Sequence, residues 1–298
     1  MNNTAFYIPG GKHYDVEGVR NQPHSFVSLS VTGRRCALLC RHCGGKMLRS
    51  MEPFEDPGQA EDLAASLQAR GCGGVLVSGG AGPDGQVPLQ GYGAALKTLK
   101  EAGLKVIVHT GILAPDTAAE LANAQVDAVA LDLIGAAETI REVYRLNLTP
   151  SDYQRSLEVA LNAGLAVSPH VVLGLEGGVL RGEEAAIAMA AEAALEKLVL
   201  VVFTPLAGTD YAQSSPPPLA GVQKLFQYAR EKMPAGQIYL GCARPRGEYG
   251  RALEEIALAL GFSGVAFPSA ETVRTAQTCG FHSWCCGLGE AEKGEGHG

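Results

Sequence analysis

Residues 26–43 read FVSLSVTGRRCALLCRHC and join two features of different character. The first part, 26–31, is a short apolar run with β-branched residues, which is typical of a buried strand. The second part places Cys36, Cys40 and Cys43 at a C-x₃-C-x₂-C spacing. Thiolates are soft ligands that suit iron–sulfur clusters or zinc. The stretch therefore predicts a strand followed by a loop that carries a metal site.

Seven more short apolar runs follow, and helical patterns separate them. Several of these helices end in Gly just before the next run, which is a helix stop signal. Eight strands alternating with helices predict an α/β protein with a (β/α)₈ TIM-type barrel over residues 1–277. The structural alternative is an open doubly wound sheet. The predicted strands are 26–31, 74–78, 105–109, 127–132, 165–173, 198–204, 237–242 and 264–268.

A barrel of this kind gathers its reactive groups after the carboxyl ends of the strands, where the cysteine loop would lie. Ser78, Gly79 and Gly80 end the second predicted strand, and paired glycines there let a ligand approach the backbone closely. Three more polar residues are candidates because of their position on the strands: His109 and Asp132 end the third and fourth strands, and His170 lies within the fifth. Each is as consistent with a hydrogen-bonded structural role as with cofactor binding. A carboxylate such as Asp132 is also suited to binding ribose hydroxyls.

A second group of cysteines occurs late in the chain. Cys242 ends the seventh predicted strand, and Cys279, Cys285 and Cys286 lie in a tail, 278–298, after the eighth. We expect this short extension to stand over the barrel mouth, where these thiols would ligate an auxiliary Fe–S cluster. The alternative is a packed Cys242 with incidental tail thiols or a vicinal disulfide.

The ligand set of such a second cluster stays open. Cys279 could be a bystander, which would leave one iron for a non-cysteine ligand. Arg244 or Arg246 could fill that place, or could bind a carboxylate as a bidentate fork. Cys72 precedes the second strand, at the opposite face of the barrel, and is expected to be structural.

Composition narrows the class of protein. The chain has 298 residues, of which 46% are hydrophobic and 18% charged, with a net charge of −7. This charge gives no support to nucleic-acid binding. No apolar run approaches the ~18 residues that span a bilayer, and the first residues do not resemble a signal peptide. We therefore expect a cytoplasmic protein, in which eight cysteines serve metal or redox chemistry rather than disulfides.

The cysteine spacing, with His42 in the aromatic-type position before the third cysteine, resembles the radical SAM superfamily. The resemblance implies a [4Fe–4S] cluster on Cys36, Cys40 and Cys43 that cleaves S-adenosylmethionine (SAM) reductively. Ser78-Gly79-Gly80 resembles the family's glycine motif for the SAM amino group. Ala81 stands where the family has Glu, so only backbone contacts carry over. A zinc knuckle is the alternative, although structural zinc usually takes four protein ligands.

Longer strings, among them SVTGRRCALLCRHCGGKMLRSM, PHVVLGLEGG, GCARPRG and HSWCCG, resemble biotin-synthase-like radical SAM proteins of the two-component lipoyl synthase type. That resemblance implies sulfur insertion from the auxiliary cluster into an octanoyl chain. Ordinary lipoyl synthases differ, because they carry their auxiliary cysteines before the SAM triplet. The implied partners are a lipoyl carrier domain bearing octanoyl-lysine, a second radical SAM component, and a ferredoxin or flavodoxin reductant.

Other functions remain alternatives. Within the superfamily these are biotin-synthase-like sulfur insertion, a maturase-type reaction and a methylation. Outside it are a non-catalytic zinc or Fe–S binding protein and an electron carrier, although a carrier needs no SAM pocket.

Overall fold

The computed structural model describes residues 4–276 and 278–289. It contains the strands of the predicted barrel. All eight predicted strands form, and the predicted class, an α/β barrel of parallel strands, is confirmed. The strands are β1 Thr4–Tyr7, β2 Asp15–Val16, β3 Val19–Arg20, β4 Phe26–Ser30, β5 Glu52–Pro53, β6 Gly74–Ser78, β7 Lys105–His109, β8 Ala128–Asp132, β9 Val167–Leu173, β10 Lys197–Val202, β11 Gln237–Leu240, β12 Gly264–Ala266 and β13 Thr278–His282.

Strand order distinguishes the barrel from the doubly wound alternative. The main sheet runs β13-β1-β12-β11-β10-β9-β8-β7-β6-β4-β5, and its neighbouring strands are parallel. A doubly wound sheet reverses its strand order part-way, whereas here β6 to β12 follow one another without reversal. Within the described residues no pairing joins β13 to β5, so the 11-stranded sheet is a partial barrel rather than a closed one.

Helices cover the outside of the sheet. Outward-facing strand residues such as Val75, Val77 and Val108 share one buried cluster with helical residues such as Leu67 and Leu96. Among the described residues, none of the helices combines the length and the hydropathy of a membrane span. The helices are α1 Ala60–Ala69, α2 Gly93–Glu101, α3 Pro115–Asn123, α4 Ala137–Thr139, α5 Pro150–Asn162, α6 Glu183–Glu192, α7 Leu219–Lys232, α8 Gly247–Ala259 and α9 Ala270–Thr275, with a π-helical turn at Ile140–Tyr144.

The amino-terminal strand β1 was not among the predicted strands. It lies between β12 and β13, with Ala5 opposite Gly264 on one side and opposite Gly280 on the other. Its four residues are all buried. A run this short has no measurable periodicity, and its place is set by the free edge of β12 rather than by a local pattern.

The tail takes a different path from the expected one. Residues 278–282, which we assigned to the tail, form the edge strand β13. The chain then crosses the amino end of the barrel instead of standing over the mouth. Lys105, the first residue of β7, lies 6.0 Å from the Trp284 ring, and Lys197, the first of β10, donates to the Leu288 carbonyl at 3.4 Å.

Space inside the barrel explains this path. Small residues such as Ala128 and Ala130 face inward, where an ordinary barrel holds bulky branched side chains. Trp284 and Leu288 pack against them and against Phe26 and Ile107, so the tail supplies apolar volume that the strands lack. Burial of this apolar surface stabilises the inserted position.

Candidate metal centre at the carboxyl end of the barrel

The loop after β4 brings three metal-ligating side chains together. Turns close it tightly, since the Cys43 and Gly44 amides both donate to the Cys40 carbonyl, at 3.1 and 2.7 Å. The ligand atoms of Cys40, His42 and Cys43 lie within 4.8 Å of one another. Cys36 belongs to the same loop, with its Sγ 4.0 Å from the Ala81 carbonyl oxygen. Two of the three predicted cysteines therefore converge with His42, and the third lies in the same loop; soft sulfur donors of this kind suit an iron–sulfur cluster.

The thiols of this loop interact electrostatically. A hydrogen bond from Cys40, aided by His42, lowers the pKa of Cys43 to about 4. The same hydrogen bond, together with burial, raises the pKa of Cys40. Because the thiolate is the form that binds metal, the loop favours at least one ready ligand at neutral pH.

The glycine pair after β6 packs directly against the cysteine loop. The Gly80 amide donates to Thr32 Oγ1 at 2.7 Å. A Cβ at Gly80 would contact the Arg35 carbonyl and lie 2.5 Å from Cys36 Cα. The site thus needs glycine here, which makes the pair a cradle for the loop. Ser78 Oγ donates to the His109 carbonyl at 3.0 Å, a bond within the sheet.

These observations describe a strand, a three-cysteine loop and a glycine cradle at the carboxyl end of a parallel barrel. The family model described as the radical SAM superfamily matches residues 30–181, which is just over half of the chain. The chain belongs to the radical SAM superfamily. It is a radical SAM enzyme, and its cofactors are a [4Fe–4S] cluster and SAM. The converging Cys40 and Cys43 thiols fit such a cluster, and Cys36 lies in the same loop.

Solved structures with the same fold are similar at low sequence identity. HydG, a maturase of the [FeFe]-hydrogenase, is 14% identical with a TM-score of 0.62, covering 92% of this chain and 60% of HydG. Methylornithine synthase PylB is 15% identical with a TM-score of 0.59, covering 90% and 73%. SuiB from Streptococcus suis is 15% identical with a TM-score of 0.58, covering 80% and 53%. The radical SAM chain thus spans about 60% of the length of HydG. A search of curated proteins finds no match.

One aromatic neighbour of the site was not predicted as a functional residue. Tyr144, in the π-helical turn, lies edge-on to His42 with ring centroids 5.6 Å apart. Burial and the nearby Asp132 carboxylate raise the pKa of Tyr144 well above its ordinary value. Its sequence context, REVYRLN, is a helical surface pattern, and only the three-dimensional fold brings the ring to the cysteine loop.

His109, Asp132 and His170 form one polar layer inside the radical SAM barrel. His109 Nε2 lies 3.5 Å from Asp132 Oδ1, and the two imidazole centroids are 6.1 Å apart. Burial lowers the pKa of His109, whereas the Asp132 carboxylate raises it. The effect of the carboxylate is the larger, so the net pKa of His109 is raised. Burial and the charge of His109 lower the pKa of His170 to about 4. The layer therefore favours a charged His109–Asp132 pair beside a neutral His170.

The rear cysteines reach the barrel interior from opposite ends. Cys242 follows β11, and Cys286 packs in the same apolar cluster as Tyr7 and Tyr239. Cys285 lies in the inserted tail, beside the layer of Ile107 and Ala130. No group of three rear thiols within metal-ligating distance occurs among the described residues, and the Cys279 side chain lies outside them. An auxiliary cluster therefore stays a prediction.

The two arginines near Cys242 are engaged in structural bonds. Arg244 is buried and pairs with Glu254 at 2.6 Å, while it also donates to backbone carbonyls of residues 241, 266 and 267. Arg246 donates to the carbonyls of Phe267 and Cys242. Both guanidinium groups are thus hydrogen-bonded within the protein. Cys72, buried at the amino end of β6, donates to the Gly74 carbonyl at 3.1 Å, in keeping with a structural role.

Proposed function

We propose that this radical SAM enzyme inserts sulfur into an octanoyl chain carried on a lysine of a lipoyl carrier domain. In this proposal Cys242, Cys285 and Cys286 hold an auxiliary Fe–S cluster that is the sulfur source. A second radical SAM component would act on the other carbon. The observation that carries the proposal is the insertion of Cys285 and Cys286 into the barrel interior, on the side opposite the SAM-cluster loop.

The insertion matters because a sulfur donor must lie in the same space as the substrate carbon. Proximity and orientation account for a large part of enzymatic rate enhancement, so a donor outside the barrel would be ineffective. Cys286 is buried and Cys285 is half-buried, and neither thiol forms a disulfide. The tail thereby supplies soft ligands at the bottom of a chamber whose top carries the SAM cluster.

The polar layer lies between the two cysteine sets. At the top of the chamber, His42 contributes to the lowered pKa of Asp132, and Asp132 in turn raises the pKa of Tyr144. The charge of Cys285 acts on His109 from below. A substrate reaching between the two sets would pass this layer, where the His109–Asp132 pair can orient polar groups of SAM or substrate. Asp132 keeps the role proposed from the sequence, as a partner for ribose hydroxyls.

The test is a single-turnover assay with the anaerobically reconstituted enzyme, SAM and an octanoyl-lysyl peptide. We expect 5′-deoxyadenosine and a peptide that has gained sulfur, both measured by mass spectrometry. The double variant C285S/C286S should still release 5′-deoxyadenosine, because its front cysteines are intact, but should leave the peptide without sulfur.

Cys72→Ser is the matched control, since Cys72 is also a buried thiol but lies at the amino end of β6. It should keep both activities. Sulfur transfer by the double variant at the wild-type level would refute the role of the tail thiols. SAM cleavage without any sulfur transfer by the wild type would refute sulfur insertion itself.

A further inference from the structure

We propose that a second cavity of the barrel binds the phosphate group of a small organic phosphate. We call it the basic cavity. Its walls are Lys12, His13 and Tyr14 in the loop after β1, the first two turns of α8 with Arg246 before them, and residues 267–269 after β12. The cavity lies outside the cysteine loop and the polar layer, and the proposal does not depend on sulfur insertion.

The basic cavity belongs to the face of the barrel where ligands bind. Strands β1, β12 and β11 are parallel neighbours, and each wall follows the carboxyl end of one of them. Barrels of this class hold their ligands at that face. The cavity volume is about 410 Å³, which lies in the range of small-molecule sites. Since one water takes up about 30 Å³ of liquid, there is room for an organic group beside a phosphate.

Cationic side chains dominate the walls of the basic cavity. Lys12, Arg246 and Arg251 line it, together with His13. Among the described residues, no ion pair joins Lys12 or Arg246 to an acidic group. Arg251 has one acidic neighbour, Glu248, at 4.0 Å, and that side chain is 96% exposed. The cavity therefore concentrates positive charge without close counter-charges, which attracts a multiply charged anion.

The acidic residue of the lining is neutralised by the protein itself. Glu254 accepts hydrogen bonds from Arg244 Nη2 at 2.6 Å and from the Ser269 amide at 2.9 Å. The side chains of Glu254 and Arg244 are both buried. Because this carboxylate is already paired, it does not cancel the charge of the cations that face the cavity.

A strained aromatic residue holds two of these cations in place. Phe267 has a φ of 50°, in the left-handed region that a bulky residue seldom adopts. Its ring centroid lies 5.8 Å from Lys12 Nζ and 5.9 Å from the Arg246 guanidinium carbon, within the range of cation–π attraction. Its carbonyl also accepts a hydrogen bond from Arg246 Nη1 at 2.8 Å. The cations are thus organised before a ligand binds, and strain of this kind clusters at ligand sites.

The hydrogen-bond donors of the basic cavity suit a phosphate better than a single carboxylate. A guanidinium has five N–H donors, and Arg246 uses only two of its nitrogens, for two backbone carbonyls of the described chain. Arg251 and Lys12 add further donors. A phosphate monoester carries nearly two charges and three acceptor oxygens, so it can engage more of these groups than a carboxylate can. The positive end of the α8 dipole adds to the attraction.

Calorimetric titration of the anaerobically reconstituted holoenzyme, with SAM bound, tests the proposal. The probe is phenyl phosphate, whose ring suits the apolar surface of Tyr14 and Pro268 in the cavity. Benzoate is the matched probe, with the same ring and one negative charge, and inorganic phosphate has the charge without the ring. We expect phenyl phosphate to bind most tightly and benzoate to bind at least about tenfold more weakly.

Two variants and a control locate the binding. K12Q/R251Q removes two charges of the cavity and leaves the bonds of Arg246 intact, so it should bind phenyl phosphate about tenfold more weakly than wild type. R246K keeps the charge but loses the planar fork, and its affinity should also fall. K97Q/K224Q, on the outer helices α2 and α7, should bind like wild type. Iron content and the thermal unfolding midpoint of K12Q/R251Q should equal those of wild type.

Equal affinity of wild type and K12Q/R251Q for phenyl phosphate would overturn the proposal, as would benzoate binding as tightly as phenyl phosphate. The same loss of affinity in K97Q/K224Q would also overturn it, because binding would then follow net charge rather than the cavity. Absence of phenyl phosphate binding, with weaker binding of an octanoylated carrier domain by K12Q/R251Q, would assign the cavity to a protein substrate instead.

Discussion

Gly80 shows how a single residue can determine whether the metal site forms. Its backbone lies against Cys36, and its amide is held by Thr32 Oγ1 at 2.7 Å. Any side chain at this position would have to displace the loop that supplies the ligands. The sequence motif Ser-Gly-Gly predicts close backbone approach, but the structure identifies what approaches: the cysteine loop itself.

Gly80→Ala is therefore expected to remove the iron bound by the front cysteines, about half of the total, and to destabilise the fold by about 1–3 kcal/mol through overpacking. Iron per chain and the urea unfolding midpoint measure the two effects. Gly73→Ala is the control. A Cβ added at Gly73 would lie 3.7 Å from the nearest atom, the Ser25 carbonyl oxygen, which is an ordinary van der Waals distance. Wild-type iron content in Gly80→Ala would show that the loop tolerates displacement.

The buried pair Arg244–Glu254 gives a second prediction at this scale. Glu254→Gln leaves a buried guanidinium without its counter-charge, so we expect a loss of about 3 kcal/mol at neutral pH. Burial raises the pKa of Glu254, but Arg244 outweighs it and the net shift is downward. The pair's stabilisation is thus present above the ordinary carboxyl pKa and lost as pH falls through the lowered one.

Urea unfolding of wild type and Glu254→Gln at several pH values checks this. The difference in unfolding free energy between the two proteins should become smaller as the pH falls below about 4. Glu248→Gln, whose side chain is 96% exposed on the same helix, should stay close to wild type throughout. If the difference in unfolding free energy does not change with pH, ionisation of Glu254 contributes nothing to stability.

At the scale of elements, the inserted tail closes the amino end of a barrel with a thinly filled interior. Trp284 packs beside Phe26, Ala128 and Ala130, and its indole Nε1 donates to the Gly289 carbonyl at 2.9 Å. The tail therefore contributes to the core as well as carrying Cys285 and Cys286. We infer that the auxiliary site and the stability of the barrel depend on the same segment.

Trp284→Ala should lower the free energy of unfolding by about 2 kcal/mol. This loss is smaller than that expected on truncating a fully buried Trp, because the Trp284 ring is only half-buried. Chemical denaturation measures it. Leu161→Ala, at an exposed position on helix α5, is expected to change stability by no more than about 0.5 kcal/mol. Equal stability of Trp284→Ala and wild type would argue against insertion of the tail.

Elements also show where sequence reasoning succeeds and where it fails. The strands of residues 74–78 and 105–109 were predicted at their observed bounds, since buried parallel strands carry continuous apolar runs. The position of the cysteine triplet in the loop after β4 could be predicted because its spacing is local, and its role as the complete ligand set stays a prediction. Strand β1 and the path of residues 283–289 were missed, because both depend on the open edge and the small inward-facing residues of a finished barrel.

For the whole molecule, the barrel brings together cysteines that are far apart in the chain. Cys36, Cys40 and Cys43 lie at the carboxyl end, and Cys285 and Cys286 enter from the amino end, with His109 and Asp132 between them. The central claim is that one interior serves two clusters. Sequence alone could place both cysteine sets on one barrel, but not on opposite sides of one chamber.

Iron and acid-labile sulfide per chain, after anaerobic reconstitution, test this claim most directly. We predict about eight irons in the wild type, and about four both in C36A/C40A/C43A and in C285S/C286S. Mössbauer spectra of the two variants should then differ, since each retains a different cluster. About four irons in the wild type and none in C36A/C40A/C43A would contradict the account, leaving a radical SAM enzyme with a single cluster.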